Sequence, residues 1–215
     1  MGGLVEKDLR LIIQRKQVMV LCLVFSVIIG YTQEGNFILG YVPVLMLMLT
    51  IGTISYDELD NGFTFLLTLP INTKTYVTEK YIFCGVAGIL SWLMSIVIYY
   101  FSGVLHGKNV ELQAEIPMYF LFLAVFTLMM AFLIPVQLKF GANNSRTVML
   151  VVVGVALILA FFVKRFLGEE RIVEIQHMFD EMSDMTLKIV AILVVVLSMI
   201  ISYICSLRIM KKKEL

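Results

Sequence analysis

Charge is what this chain of 215 residues has least of. Only 15% of its residues are Asp, Glu, Lys or Arg, while 60% are hydrophobic; soluble domains run nearer a quarter and a half. A water-soluble domain is thereby excluded, and no nucleic-acid partner is expected. Cysteine is also scarce: Cys22, Cys84 and Cys205 make an odd count. Each lies in an apolar run, so they read as packed thiols, not a disulfide framework or a metal site. The two histidines, His106 and His177, lack companions at ligand spacing. Glu174 and His177 are three apart, but on a solvated helix they read as surface residues.

A phosphate-binding loop is missing as well. The nearest approach, "GVLHGKN" (Gly103 to Asn109), has three residues between its glycines instead of four, and Asn where Ser or Thr belongs. The chain is therefore expected to be no enzyme, to have no catalytic residue, and to bind no cofactor or metal itself. No ionisable residue falls near the middle of an apolar stretch, which weighs against a proton- or sodium-coupled carrier. The charged start "MGGLVEKDLRLIIQRKQ" is followed by no small-residue cleavage site, so no cleavable leader is expected, and the myristoylation pattern is incomplete.

What the chain does have is long apolar runs. Spanning a bilayer takes about 20 residues. Six stretches qualify: 17–32, 37–56, 81–105, 117–138, 147–166 and 186–207. The first is the shortest, and Lys16 can snorkel to help it reach the interface. Pro117 opens the fourth, where a missing N–H costs nothing. Pro43 should kink the second, and Pro135 should kink or end the fourth. The fold class predicted is all-α: one polytopic membrane domain over 1–215.

Cations set its orientation. With the N-terminus inside, Lys7, Arg10, Arg15, Lys16, Lys74, Lys80, Lys139, Arg146, Arg208, Lys211, Lys212 and Lys213 face the cytoplasm. Lys108, Lys164, Arg165, Arg171 and Lys188 face outward. Both termini, 57–80 and 139–146 are thus predicted to be cytoplasmic. In residues 3–16, Leu4, Val5, Leu9, Ile12 and Ile13 recur at helical spacing, which predicts a helix lying in the membrane interface. On the outer side, Ile172, Ile175, Phe179 and Met182 form a stripe within the acid-rich segment 167–185. This predicts an amphipathic extracellular helix, which either caps the bundle or lines an acidic exit vestibule.

The segment "SYDELDNGFTFLLTLPINTKTYVTEKY" (Ser55 to Tyr81) is too elaborate for a connector. Asn61-Gly62 breaks the chain, "FTFLLTL" can form about two helical turns, and Pro70 ends them. Asn72 or Thr73 can then start a helix through Val77 and Lys80 into the third span. A short apolar element between two turns suits either docking onto a partner protein or resting on lipid. In "KFGANNSR", Gly141 and Asn143 can take left-handed geometry, which predicts a tight cytoplasmic hairpin.

"LDNGFTFLLTLPINTKTYVTEKYIF" resembles the first cytoplasmic loop of ABC-2-type permeases. The matching residues are Glu58, Asn61, Gly62, Leu66, Leu67, Leu69, Pro70, Asn72 and Lys80. Asn72 and Thr75 depart from the Ser and Glu of a full capping box. "IPVQLKFGANNSRTV" resembles the second cytoplasmic loop of a small bacterial six-span branch, through Pro135, Lys139, Phe140, Gly141 and Arg146. Within that branch the chain looks most like permeases of phenol-soluble modulin exporters. The resemblance implies a coupling helix that docks on a separate ABC ATPase through Glu58, Phe63, Phe65, Leu66, Leu67, Leu69 and Pro70. It also points to a smaller contact at Lys139, Gly141 and Arg146, with a plain turn and snorkelling cations as the alternative. ATP and Mg would be held by that ATPase. It further implies a second permease copy or paralogue, a bacterial cytoplasmic membrane location, and export of hydrophobic or amphipathic cargo, a peptide foremost. Ion or drug extrusion stays open, as does a non-transporting membrane anchor or sensor that recruits a cytosolic protein.

Overall fold

The computed structural model describes residues 2–14, 16–32, 37–58, 72–106, 116–141, 144 and 184–213. Among these residues the regular structure is all helical: α1 Gly2–Gln14, α2 Lys16–Thr32, α3 Phe37–Glu58, α4 Thr73–Leu105, α5 Ile116–Gly141 and α6 Asp184–Lys213. Four helices among the described residues are long and apolar enough to cross a membrane: Phe37–Asp57, Thr73–Leu105, Ile116–Gly141 and Lys188–Lys213. They coincide with the second, third, fourth and sixth stretches read from the sequence. Helix α2, 17 residues long, covers the first. The stretch 147–166 and the outer segment 167–185 lie outside the described residues.

The bundle is centred on α3 and α4, which pair most extensively. Leu47, Ile51 and Ile54 of α3 pack with Val77, Tyr81 and Cys84 of α4. Phe126, Met130, Ile134 and Leu138 of α5 and Met210 of α6 close the same core. At the opposite end, Ile38, Leu39 and Val42 meet Tyr119, flanked by Trp92 and Phe122. There the Trp92 Nε1 donates to the Tyr119 carbonyl at 2.9 Å, tying α4 to α5. Helix α5 comes close enough to α4 that a Cβ on Gly88 would lie 2.1 Å from Phe126 Cζ. Only glycine leaves room for that ring.

Two prolines behave differently from one another. Pro117 is the second residue of α5, where it disturbs no helical bond. Pro135 was expected to kink or end its helix; it does not end it, since α5 runs on to Gly141. The bond that Pro135 cannot make is the one to the carbonyl four residues back, Ala131. Ser202 of α6 donates its hydroxyl to that carbonyl instead, so a neighbouring helix satisfies the freed group. The same face of α6 is joined to α4. The Tyr81 hydroxyl bonds Ser202 Oγ (2.5 Å) and Ser206 Oγ (2.9 Å), and Thr78 meets the Tyr203 hydroxyl at 2.8 Å.

Other readings need correcting. Lys139 and Phe140 lie in the last turn of α5, so the connection predicted to start at 139 begins later. Gly141 ends α5 with φ 71°, as its sequence context predicted. Cys84 is buried, but Cys205 is exposed, because its side of α6 faces away from the bundle. Helix α1 exists, yet Leu9 and Ile13 are exposed, while Leu4, Asp8 and Ile12 are buried. These three are four residues apart, so they share one face, and α1 seats that face on α3 and α4.

Candidate functional site

Helices α3 and α4 flank the segment read as a docking element. Helix α3 ends at Glu58 and α4 begins at Thr73. Asn72 is extended (φ −76°, ψ 144°) and makes no side-chain cap bond; its carbonyl accepts from Thr75 N (2.8 Å) and Tyr76 N (3.2 Å). The capping box that the sequence lacked is lacking here too. The two helix ends are locked by other means.

Asp57, one residue before the end of α3, receives the Tyr76 hydroxyl at 2.9 Å. The Lys80 Nζ lies 2.8 Å from the same Asp57 oxygen. Tyr76 and Lys80 sit one turn apart on α4, so one face of the helix's first two turns grips the last turn of α3. The ammonium of Lys80 also lies over the Tyr76 ring, 5.2 Å from its centre. Helix α1 adds the third side. Its Asp8 pairs with Lys80, its Lys7 pairs with Asp57, and Lys7 also lies 3.3 Å from Asp8. Thr53 of α3 donates to Asp8 at 3.1 Å and receives Lys80 at 3.5 Å.

Lys80 and Asp8 are both fully enclosed, and Asp57 is 5% exposed. Charges so placed need partners on every side, and an ion pair out of water is far less screened than one at the surface. The junction therefore makes α1, the end of α3 and the start of α4 one unit. The C-terminal end of α5 belongs to the same end of the bundle, because its buried Gln137 donates to Ser55 of α3 at 2.7 Å. Of the residues proposed from the sequence, Glu58 is the last of α3, next to Asp57. Lys139 is exposed, its ammonium over the Phe140 ring at 5.0 Å, and Gly141 follows it. Phe63, Phe65, Leu66, Leu67, Leu69, Pro70 and Arg146 lie outside the described residues.

Lys80 was counted from the sequence as a topological cation and a motif match, and Asp57 as the start of a loop, while Asp8, Tyr76 and Glu79 were given no role. A signal was present: Asp8 falls midway between Leu4 and Ile12 on the apolar stripe of α1, a place where an acid needs a buried partner. Among the described residues, no group of three His, Cys, Asp or Glu is placed to hold a metal. Higher in the bundle, Ser26, Val42, Met46, Ser91 and Met94 border an apolar cleft of about 170 Å³ between α2, α3 and α4.

A family model described as ABC-2 family transporter protein matches residues 3–211. No curated protein matches the chain. No solved structure matches it.

Proposed function

Because the chain belongs to the ABC-2 family of transporter proteins, and is thus a multi-pass membrane permease of an ABC transporter, we propose that it is the membrane subunit of an ATP-driven exporter. Its cargo is hydrophobic or amphipathic, a peptide foremost. A separate ATPase subunit binds ATP and Mg, and the permease contributes no catalytic group. The chain works as a dimer with a second copy or a paralogue, in a bacterial cytoplasmic membrane with both termini inside.

One observation carries the coupling part of this reading: the segment between Glu58 and Thr73 springs from two helix ends held by a single buried charge cluster. A push on that segment meets no slack where it joins the membrane helices. It moves α1, α3 and α4 together, as coupling to an ATPase requires. The apolar side chains Phe63, Phe65, Leu66, Leu67 and Leu69 are then the anchor, with Glu58 at its rim, and Lys139, Gly141 and Arg146 form a second, smaller contact.

The test is Phe65→Ala combined with Leu66→Ala, in membranes containing the ATPase. Truncating a large apolar anchor at an interface centre costs roughly 2–4 kcal/mol, or roughly 30- to 700-fold in binding. ATPase copurification and cargo-stimulated ATP hydrolysis should both fall. A control pair, Ile192→Ala with Leu193→Ala on the exposed side of α6, should leave both intact. Full ATPase binding and full export in the loop variant would make the segment a lipid-resting helix and remove the coupling role.

A further inference from the structure

Glu79 belongs to the junction, but the coupling reading makes no use of it. Its side chain is fully enclosed, and neither carboxylate oxygen accepts a hydrogen bond. The cation it meets is Lys80, 3.8 Å away. That ammonium has three N–H donors. Asp8, Asp57 and Thr53 take all three, so none is left for Glu79. The charge count agrees. Lys7 and Lys80 face Asp8, Asp57 and Glu79, an excess of one negative charge when every group is ionised. Each lysine is already bonded to aspartate. Asp8 Oδ1 is the other buried side-chain oxygen here without a hydrogen bond.

An enclosed carboxylate without hydrogen bonds, beside two other anions, is a strongly unfavourable species. The neutral acid needs no counter-charge. We infer that Glu79 carries a proton while α1 is seated on α3 and α4, so that the junction is a proton-binding site whose occupancy is linked to its closure. The groups that face it are Lys7 and Asp8 from α1, Asp57 from α3, and Tyr76 and Lys80 from α4. The two aspartates favour the proton and the two lysines oppose it. The Tyr76 hydroxyl is directed to Asp57 and makes no hydrogen bond to Glu79. Lifting α1 removes Asp8 and Lys7 and admits water. Glu79 then ionises in solvent and releases the proton, so alkaline pH weakens the seat of α1. This inference stands whether or not the loop beyond Glu58 docks on an ATPase.

The experiment uses the full-length chain purified in detergent, with its thermal unfolding midpoint measured from about pH 5 to about pH 8. A free glutamate ionises near about 4.3, so across this range the unfolded chain has lost the proton that the folded chain keeps. The folding equilibrium constant then falls up to about tenfold per pH unit, and the wild-type midpoint drops as pH rises. Glu79→Gln is neutral at every pH and has the same shape. Its midpoint should be close to wild type at the acidic end and should fall less toward the alkaline end. Asp8→Asn, which takes a charged partner from Lys80, should be lower throughout. Parallel profiles for wild type and Glu79→Gln would overturn the inference. So would a Glu79→Gln chain that loses as much as Asp8→Asn, or one that fails to accumulate in the membrane.

Discussion

Replacing Lys80 by Met keeps the length of the side chain and removes its charge. Lys80 is fully enclosed and its ammonium serves two carboxylates on two other helices, Asp8 on α1 and Asp57 on α3. In Lys80→Met, Asp57 keeps Lys7 and the Tyr76 hydroxyl. Asp8 keeps the Thr53 hydroxyl and Lys7 at 3.3 Å. The loss therefore falls mainly on Asp8. Breaking a buried pair by removing one partner costs about 3–5 kcal/mol, roughly 140- to 4,000-fold in the equilibrium that seats α1. The assay is amide hydrogen exchange of α1 and of the first two turns of α4 in detergent or nanodiscs. Both segments should lose protection in Lys80→Met, while the far end of α4 near Trp92 should not. Adding Asp8→Asn removes the stranded charge, so the double variant should lose less than the two single variants summed. Losses that simply add, or unchanged protection in Lys80→Met, would refute the claim that this lysine fastens α1 to the bundle.

Two further outcomes follow from other parts of the molecule. Ser202→Ala leaves the Ala131 carbonyl, already deprived of its helical donor by Pro135, without a partner, and should cost about 1–3 kcal/mol in unfolding. Pro135→Ala restores the helical donor and should abolish most of that penalty, as a double-mutant cycle read by thermal unfolding will show. For topology, single cysteines at Asn36, Asn109 and Glu174 should label from outside in sealed cells, in a chain lacking the native three. Those at Asn61 and Asn143 should not, and labelling at Asn61 would reverse the assignment.

The helices were legible because their signal is local. Apolar runs gave α3 and α6 closely, and the start of α4 at Thr73 followed from Asn72 and the proline before it. The fourth stretch was read to 138, past Pro135, but how the helix tolerates that proline was not legible. It depends on Ser202, 67 residues away in the chain, and no local rule carries that information. The charge cluster was hidden for a similar reason. Asp8 was given no role, and Lys80 was read as a marker of sidedness and a motif match, because cation counting treats each lysine as a separate point in water. That they meet follows only once α1 folds back onto α3 and α4. Asp57 stood just past a predicted span and looked like the start of a loop. In the structure it closes the last turn of α3, which lets it serve Tyr76, Lys80 and Lys7 at once.

The bond between Trp92 and the Tyr119 carbonyl has a practical side. The chain contains a single tryptophan, and its indole N–H is held at 2.9 Å by the neighbouring helix, with the Phe120 ring 6.1 Å from it, centre to centre. An indole changes its emission when its hydrogen bond and its surroundings change. Excited at the red edge, where tyrosine hardly absorbs, the fluorescence of the unlabelled protein thus has one source, the indole placed where α4 meets α5 at the end of the bundle away from the charge cluster. Separation of those two helices there can be followed by light alone, in real time, with no dye, no added cysteine and no correction for a second emitter.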